Sequence, residues 1–152
     1  MNERGFSMAE LLVAVSVLGI VAALGYPYVA TYLQSARLRG AAQEVATIVN
    51  GARQLAIARN TNVCVTVSGT GAQYRTGTSN ACGGGTVYTG PGTAADGTMP
   101  LQNTMQISGN TADVTFSALG AAVTAGTYTV RNPNTGLTRN VVVSAAGRVT
   151  IQ

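Results

Sequence analysis

The chain contains no histidine and no lysine. Without histidine the His-based triads and dyads are excluded, and without lysine so is Schiff-base chemistry. Charge is scarce as well, at 9% of residues. The carboxylates Glu3, Glu10, Glu44, Asp96 and Asp113 are widely spaced, which offers no acid/base pair. A calcium ion takes about six to eight oxygens, and no acidic cluster supplies them, so Asp96-Gly97 and Asp113 read as turn and edge residues. Cys64 and Cys82 stand too far apart for a CxxC redox or zinc motif. The run Gly83-Gly84-Gly85 lacks the strand-to-helix context of a phosphate loop and reads as loop. The expectation is a non-enzyme with no metal and no organic cofactor.

What is present begins with a membrane-length segment. Residues 11–36 carry no charge, and Glu10 stands at their head. A bilayer core needs about 20 apolar residues, and an ionisable group inside such a stretch is costly unless paired, so Glu10 demands a function. A secretory signal would place its cleavage site after the apolar core and carry no carboxylate at its entrance. A plain anchor leaves Glu10 unexplained, and a buried core helix is usually shorter.

Arg4 precedes the apolar run and nothing basic follows until Arg37, a thin positive-inside signal that puts the amino terminus in the cytoplasm and the bulk of the chain outside. Beyond the anchor, a chain of 152 residues leaves room for one small domain. In an exported compartment Cys64 and Cys82 are expected to bridge, closing a loop worth about 3 kcal/mol in the chain-entropy model. The other reading is two free, partly buried thiols.

The helical pattern outlasts the membrane segment. Leu38, Ala41, Val45, Ile48, Ala52 and Leu55 recur at spacings of three and four, one apolar face of a helix, with Arg37, Arg39, Glu44 and Arg53 largely off it. One helix is therefore expected from about Phe6 to about Arg59, a rod of about 80 Å, with a kink near Tyr26 because of Pro27 and a left-handed stop at Asn60. Alternation follows. Val63, Val65 and Val67 share one strand face and Cys64, Thr66 and Ser68 the other. Further strands are expected over residues 72–76, 86–88, 105–107, 114–116 and around Tyr128 and Val130, with mainly loop over 77–98. A turn over 132–136 leads to a strand over 137–144, and a closing strand sets Val149 and Ile151 inward. The fold class is α+β: a long amino-terminal helix whose second half packs on an antiparallel sheet.

The stretch Arg4-Gly5-Phe6-Ser7-Met8-Ala9-Glu10-Leu11-Leu12-Val13 resembles the type III signal of the type IV pilin and pseudopilin superfamily. Three other segments resemble its GspH/FimT group of minor pilins: residues 51–59 leading into Val63-Cys64, residues 116–120, and residues 141–149. The resemblance implies a pilin-like fold and a structural role. It implies cleavage by a prepilin peptidase between Gly5 and Phe6, N-methylation of Phe6, and an assembly role for Glu10, which would pair with the Phe6 amine of a neighbouring subunit. The implied divisions are a leader over 1–5, a transmembrane or filament-core half-helix over 6–29, and a periplasmic pilin-like domain over 30–152. The implied setting is the bacterial inner membrane, single-pass, and a pilus or pseudopilus after assembly. Partners would be other minor and major pilins, the prepilin peptidase and the assembly platform.

Two neighbouring roles are implied too: a pseudopilin of type II secretion, and a subunit that binds DNA in natural transformation. Some FimT-type pilins bind DNA through a Gly-Arg-x-Arg tail. This chain has Gly147-Arg148-Val149-Thr150, which keeps the first arginine and replaces the second. Arg131, Arg139 and Arg148 are the candidate DNA contacts, without an aromatic among them to stack bases.

Overall fold

The computed structural model describes residues 7–69, 71–77, 82–101, 105–110 and 113–152. The chain divides into two compact units, Met1–Ser35 and Ala36–Gln152. A single helix, α1 (Met8–Arg59), contributes to both.

In the first unit, α1 is apolar all round and its large side chains, from Leu11 through Leu24 to Leu33, are exposed. Its mean hydropathy reaches 2.2 over an 18-residue window, long and apolar enough to cross a membrane. Backbone polar groups in such a segment must be satisfied internally, and so must hydroxyls. The Ser16, Thr31 and Ser35 hydroxyls each donate to the carbonyl four residues back, on Leu12, Pro27 and Thr31. The helical assignment is unbroken across Pro27.

In the second unit, α1 buries Leu38, Ala41, Ala42, Val45, Val49, Ala52 and Ala56. The apolar stripe is thus rotated from the one the sequence pattern gives: Val49 is in the core, while Ile48 and Leu55 only flank it. Four of the seven buried side chains are alanines, small enough for close approach of helix and sheet. The helix stops as expected at Asn60, whose φ of 48° is left-handed. The Thr61 amide bonds back to the Ala56 carbonyl at 3.1 Å, closing the helix end.

One sheet was expected and two form. The first has the order β3-β2-β1-β6-β7, with β4 also on β2. Its members are β1 (Val63–Ser68), β2 (Gly71–Thr76), β3 (Thr86–Val87), β4 (Thr98–Pro100), β6 (Val114–Phe116) and β7 (Ala122–Thr124). The second has the order β10-β9-β8-β5, with β5 (Gln106–Asn110), β8 (Gly126–Arg131), β9 (Thr138–Val143) and β10 (Val149–Ile151). Every pairing is antiparallel. Tyr128 of β8 ties the sheets together. Its fully buried hydroxyl accepts from the Val114 amide and donates to the Val65 carbonyl, both at 3.3 Å.

Register puts Val65, Tyr74 and Val114 on one face of the first sheet and Cys64, Arg75 and Thr115 on the other. The second face is not simply solvated, as the alternating pattern implies, because Cys64 is fully buried. It is bonded to Cys82, with Cα atoms 5.4 Å apart, inside the roughly 4.4–6.8 Å a disulfide spans. The bridge fastens the segment after β2 over that face. Replacing both cysteines by serine is expected to lower unfolding stability by about 3 kcal/mol, read as a drop in the denaturant midpoint of the detergent-solubilised chain.

The remaining departures are local. Residues 77–98 hold Gly84 and Gly97 in left-handed turns, and strand β4 begins at Thr98, where the sequence pattern gives loop. Asp96 caps that turn, its carboxylate accepting from the Thr98 amide and hydroxyl at 2.9 Å each. Ile151, expected inward, is 39% exposed because β10 is the sheet edge. The turn over 132–136 forms as expected, with the Asn132 side chain accepting from the Asn134 amide at 3.0 Å.

Candidate functional site

Gly5 and Phe6, where processing was expected, lie outside the described residues. Glu10 lies in the first turn of α1 and is exposed. A carboxylate there faces the positive end of the helix dipole, a favourable placement for negative charge. Among the described residues its side chain has no partner, so any ion pair it makes comes from elsewhere.

The three candidate arginines are not brought together. Arg131 ends β8 opposite Thr138, on the exposed face of the second sheet. Arg139 pairs with Val130 and so shares the opposite, core-facing side, where it is half-buried. Arg148 sits at the far end of β9, in the turn to β10, where its amide bonds the Ser144 hydroxyl at 3.2 Å. They form no continuous basic stripe of the kind that tracks a phosphate backbone.

Sequence reasoning missed a convergence that the structure makes plain. The Arg53 Nε donates to the Gly120 carbonyl at 2.8 Å, fastening α1 to the loop after β6. Gly147, with φ of 76°, packs against that same carbonyl, and a Cβ there would collide with it. The Ala122 amide bonds the Ala145 carbonyl at 3.0 Å. Segments 51–59, 116–120 and 141–149 therefore meet at one corner around Arg53. A Cβ at 120 would crowd the Arg53 Nε and one at 147 would strike the Gly120 carbonyl, so glycine at both positions leaves the arginine its carbonyl partner.

A second cluster surrounds Tyr74 on β2. Its hydroxyl donates to the Ile48 carbonyl of α1, and its ring lies 6.3 Å from that of Tyr88, over which the Arg59 guanidinium stands at 4.8 Å. Burial, with Tyr88 adding to it, pushes the Tyr74 phenol up to about 12. Burial likewise raises the Tyr128 phenol, whereas the Thr98 amide and hydroxyl hold Asp96 below its usual value. The Tyr74 shift fixes a pH dependence. Because the folded state keeps the proton more tightly than the unfolded one, its stabilisation is complete below about pH 10 and is lost as pH rises from there towards 12. The denaturant midpoint is expected to stay level to about pH 9 and fall above it. Tyr74→Phe should start lower and fall less steeply, with the buried Tyr128 phenol supplying the rest of the slope.

A shallow cavity of about 520 Å³ opens beside this cluster, lined by Glu44, Thr47, Ile48, Gly92, Met99 and Pro100. One carboxylate in a mostly apolar lining supplies no acid/base pair. No group of three or more metal-ligating side chains occurs among the described residues.

The prokaryotic N-terminal methylation motif matches residues 1–26. The family described as type II transport protein GspH matches residues 41–147. No curated protein matches the chain. Among solved structures, the type IV minor pilin FimU of Pseudomonas aeruginosa (strain PAO1) in space group P21 aligns with a TM-score of 0.53 at 17% identity, over 80% of this chain and 92% of that one. The same protein in space group P65 aligns with a TM-score of 0.49 at 21% identity, over 76% and 92%. The first alignment carries the fold: one long apolar helix and antiparallel sheets, as in a pilin. With the motif in front and the larger match spanning most of the domain behind it, the chain belongs to the GspH family of the type IV pilin and pseudopilin superfamily.

Proposed function

We propose that the chain is a minor pilin, a structural subunit without enzymatic activity that primes or caps a type IV pilus. In this reading residues 1–5 are a leader removed between Gly5 and Phe6, Phe6 is N-methylated, residues 6–29 hold the protein in the inner membrane and later in the filament core, and residues 30–152 fold in the periplasm. Its partners are other pilins, the prepilin peptidase and the assembly platform. The observation that carries it is the union on one chain of a methylation motif, an exposed apolar helix and a GspH domain. Mass spectrometry of membrane-extracted protein is expected to find Phe6 as a monomethylated amino terminus. Met1 retained in the mature pool would sink the reading.

A second reading keeps the fold and changes the machine. The family description names type II transport, which favours a pseudopilin of type II secretion. Crosslinking in membranes followed by co-purification separates the two, since the first predicts pilus subunits as partners and the second secretion components.

A further inference from the structure

Tyr26, Tyr28 and Tyr32 are 76%, 81% and 72% exposed, the only tyrosines on the apolar half of α1. At about 100° per residue, Tyr28 lies roughly 200° from Tyr26, and Tyr32 only about 40° further round. Tyr28 and Tyr32 therefore share one side of the helix and Tyr26 takes the opposite one, all within about 9 Å of its axis length, which is not a stripe on a single side. A stripe would mark a face for a partner helix. Aromatics on opposite sides at one level mark a boundary between two media, and amphipathic aromatic rings concentrate where acyl chains give way to headgroups. The spacing agrees: Tyr28 is eighteen residues beyond Glu10, or about 27 Å along the helix, against a hydrocarbon core of about 30 Å.

We propose that Tyr26, Tyr28 and Tyr32 form an interfacial collar that binds the headgroup boundary of the outer leaflet and sets the depth of the helix before assembly. The collar fixes the other end too. With Tyr28 at the outer boundary, Glu10 falls at the inner one, where its carboxylate reaches water instead of lying in hydrocarbon. The proposal rests on the membrane-spanning reading given above.

The described residues hold no free cysteine, so single cysteines report depth without interference. Val15→Cys, Ala23→Cys, Val29→Cys and Gln34→Cys would be probed in spheroplasts expressing the full chain, with a membrane-impermeant maleimide added outside. Labelling is expected at residue 34 and absent at 15 and 23. Changing all three tyrosines to leucine lengthens the apolar run and should cut labelling at residue 34 at least threefold, while changing all three to tryptophan should preserve it. Unaltered labelling in the leucine variant would overturn the collar. So would strong labelling at residue 23 of the unaltered helix. Labelling at residue 15 is the separate outcome that removes the membrane reading itself, and the collar with it.

Discussion

Glu10→Ala is expected to leave membrane insertion intact and to reduce recovery of the chain in sheared filaments by about a hundredfold. The magnitude follows from what the carboxylate is proposed to meet. Cleavage after Gly5 would give Phe6 an α-amino group with a pKa near 8, cationic at neutral pH and still basic after methylation. Removing one partner of a buried ion pair leaves the other charge uncompensated, at a cost of about 3–5 kcal/mol, and each 1.4 kcal/mol is tenfold in an equilibrium. The neighbour's amine is proposed because the resemblance of residues 4–13 to the pilin signal implies that pairing. Glu10→Gln, which keeps the shape and removes the charge, should behave like the alanine variant. Filaments recovered at the ordinary level from either variant would end the proposal.

The helix was legible because its signals are local. Uncharged length, a three-and-four spacing and an asparagine stop placed α1 to within a few residues. The exact core stripe was not, since Ile48 and Val49 are equally apolar and only the position of the sheet decides that Val49 goes in. The strands divide the same way. Strand β1, with three valines in alternation, could be read directly; β4 could not, because Thr98-Met99-Pro100 has no alternation and is held by β2. There the Gln73 side chain donates to the Asp96 carbonyl at 3.1 Å and the Thr98 hydroxyl at 3.0 Å. Among the site residues, alternation alone separates Arg131 from the face that Tyr128 and Val130 share, and Arg131 is exposed. Arg139 needed the pairing of β9 with β8 before its half-buried side could be assigned. The corner around Arg53 was out of reach altogether, since it depends on contacts across 67 positions of sequence.

The split into two sheets was illegible for a related reason, and it bears on the largest expected effect on stability. Alternation puts Tyr128 on one face with Val130 but says nothing of where its hydroxyl goes. In the fold that hydroxyl meets the Val114 amide and the Val65 carbonyl, which lie opposite each other on neighbouring strands of the other sheet. Tyr128→Phe keeps the ring and removes both hydrogen bonds to the other sheet, so a loss of about 1–3 kcal/mol is expected. Tyr128→Ala adds a cavity at a position with no solvent exposure, raising the loss to about 5 kcal/mol or more. Domains of this kind have only about 5–15 kcal/mol to lose, so the alanine variant should unfold or be degraded in cells, while the phenylalanine variant folds with a lowered denaturant midpoint. The comparison of the two isolates the hydroxyl. If phenylalanine matches tyrosine within error, the bridge between the sheets contributes nothing, and the sheets are held by apolar packing alone.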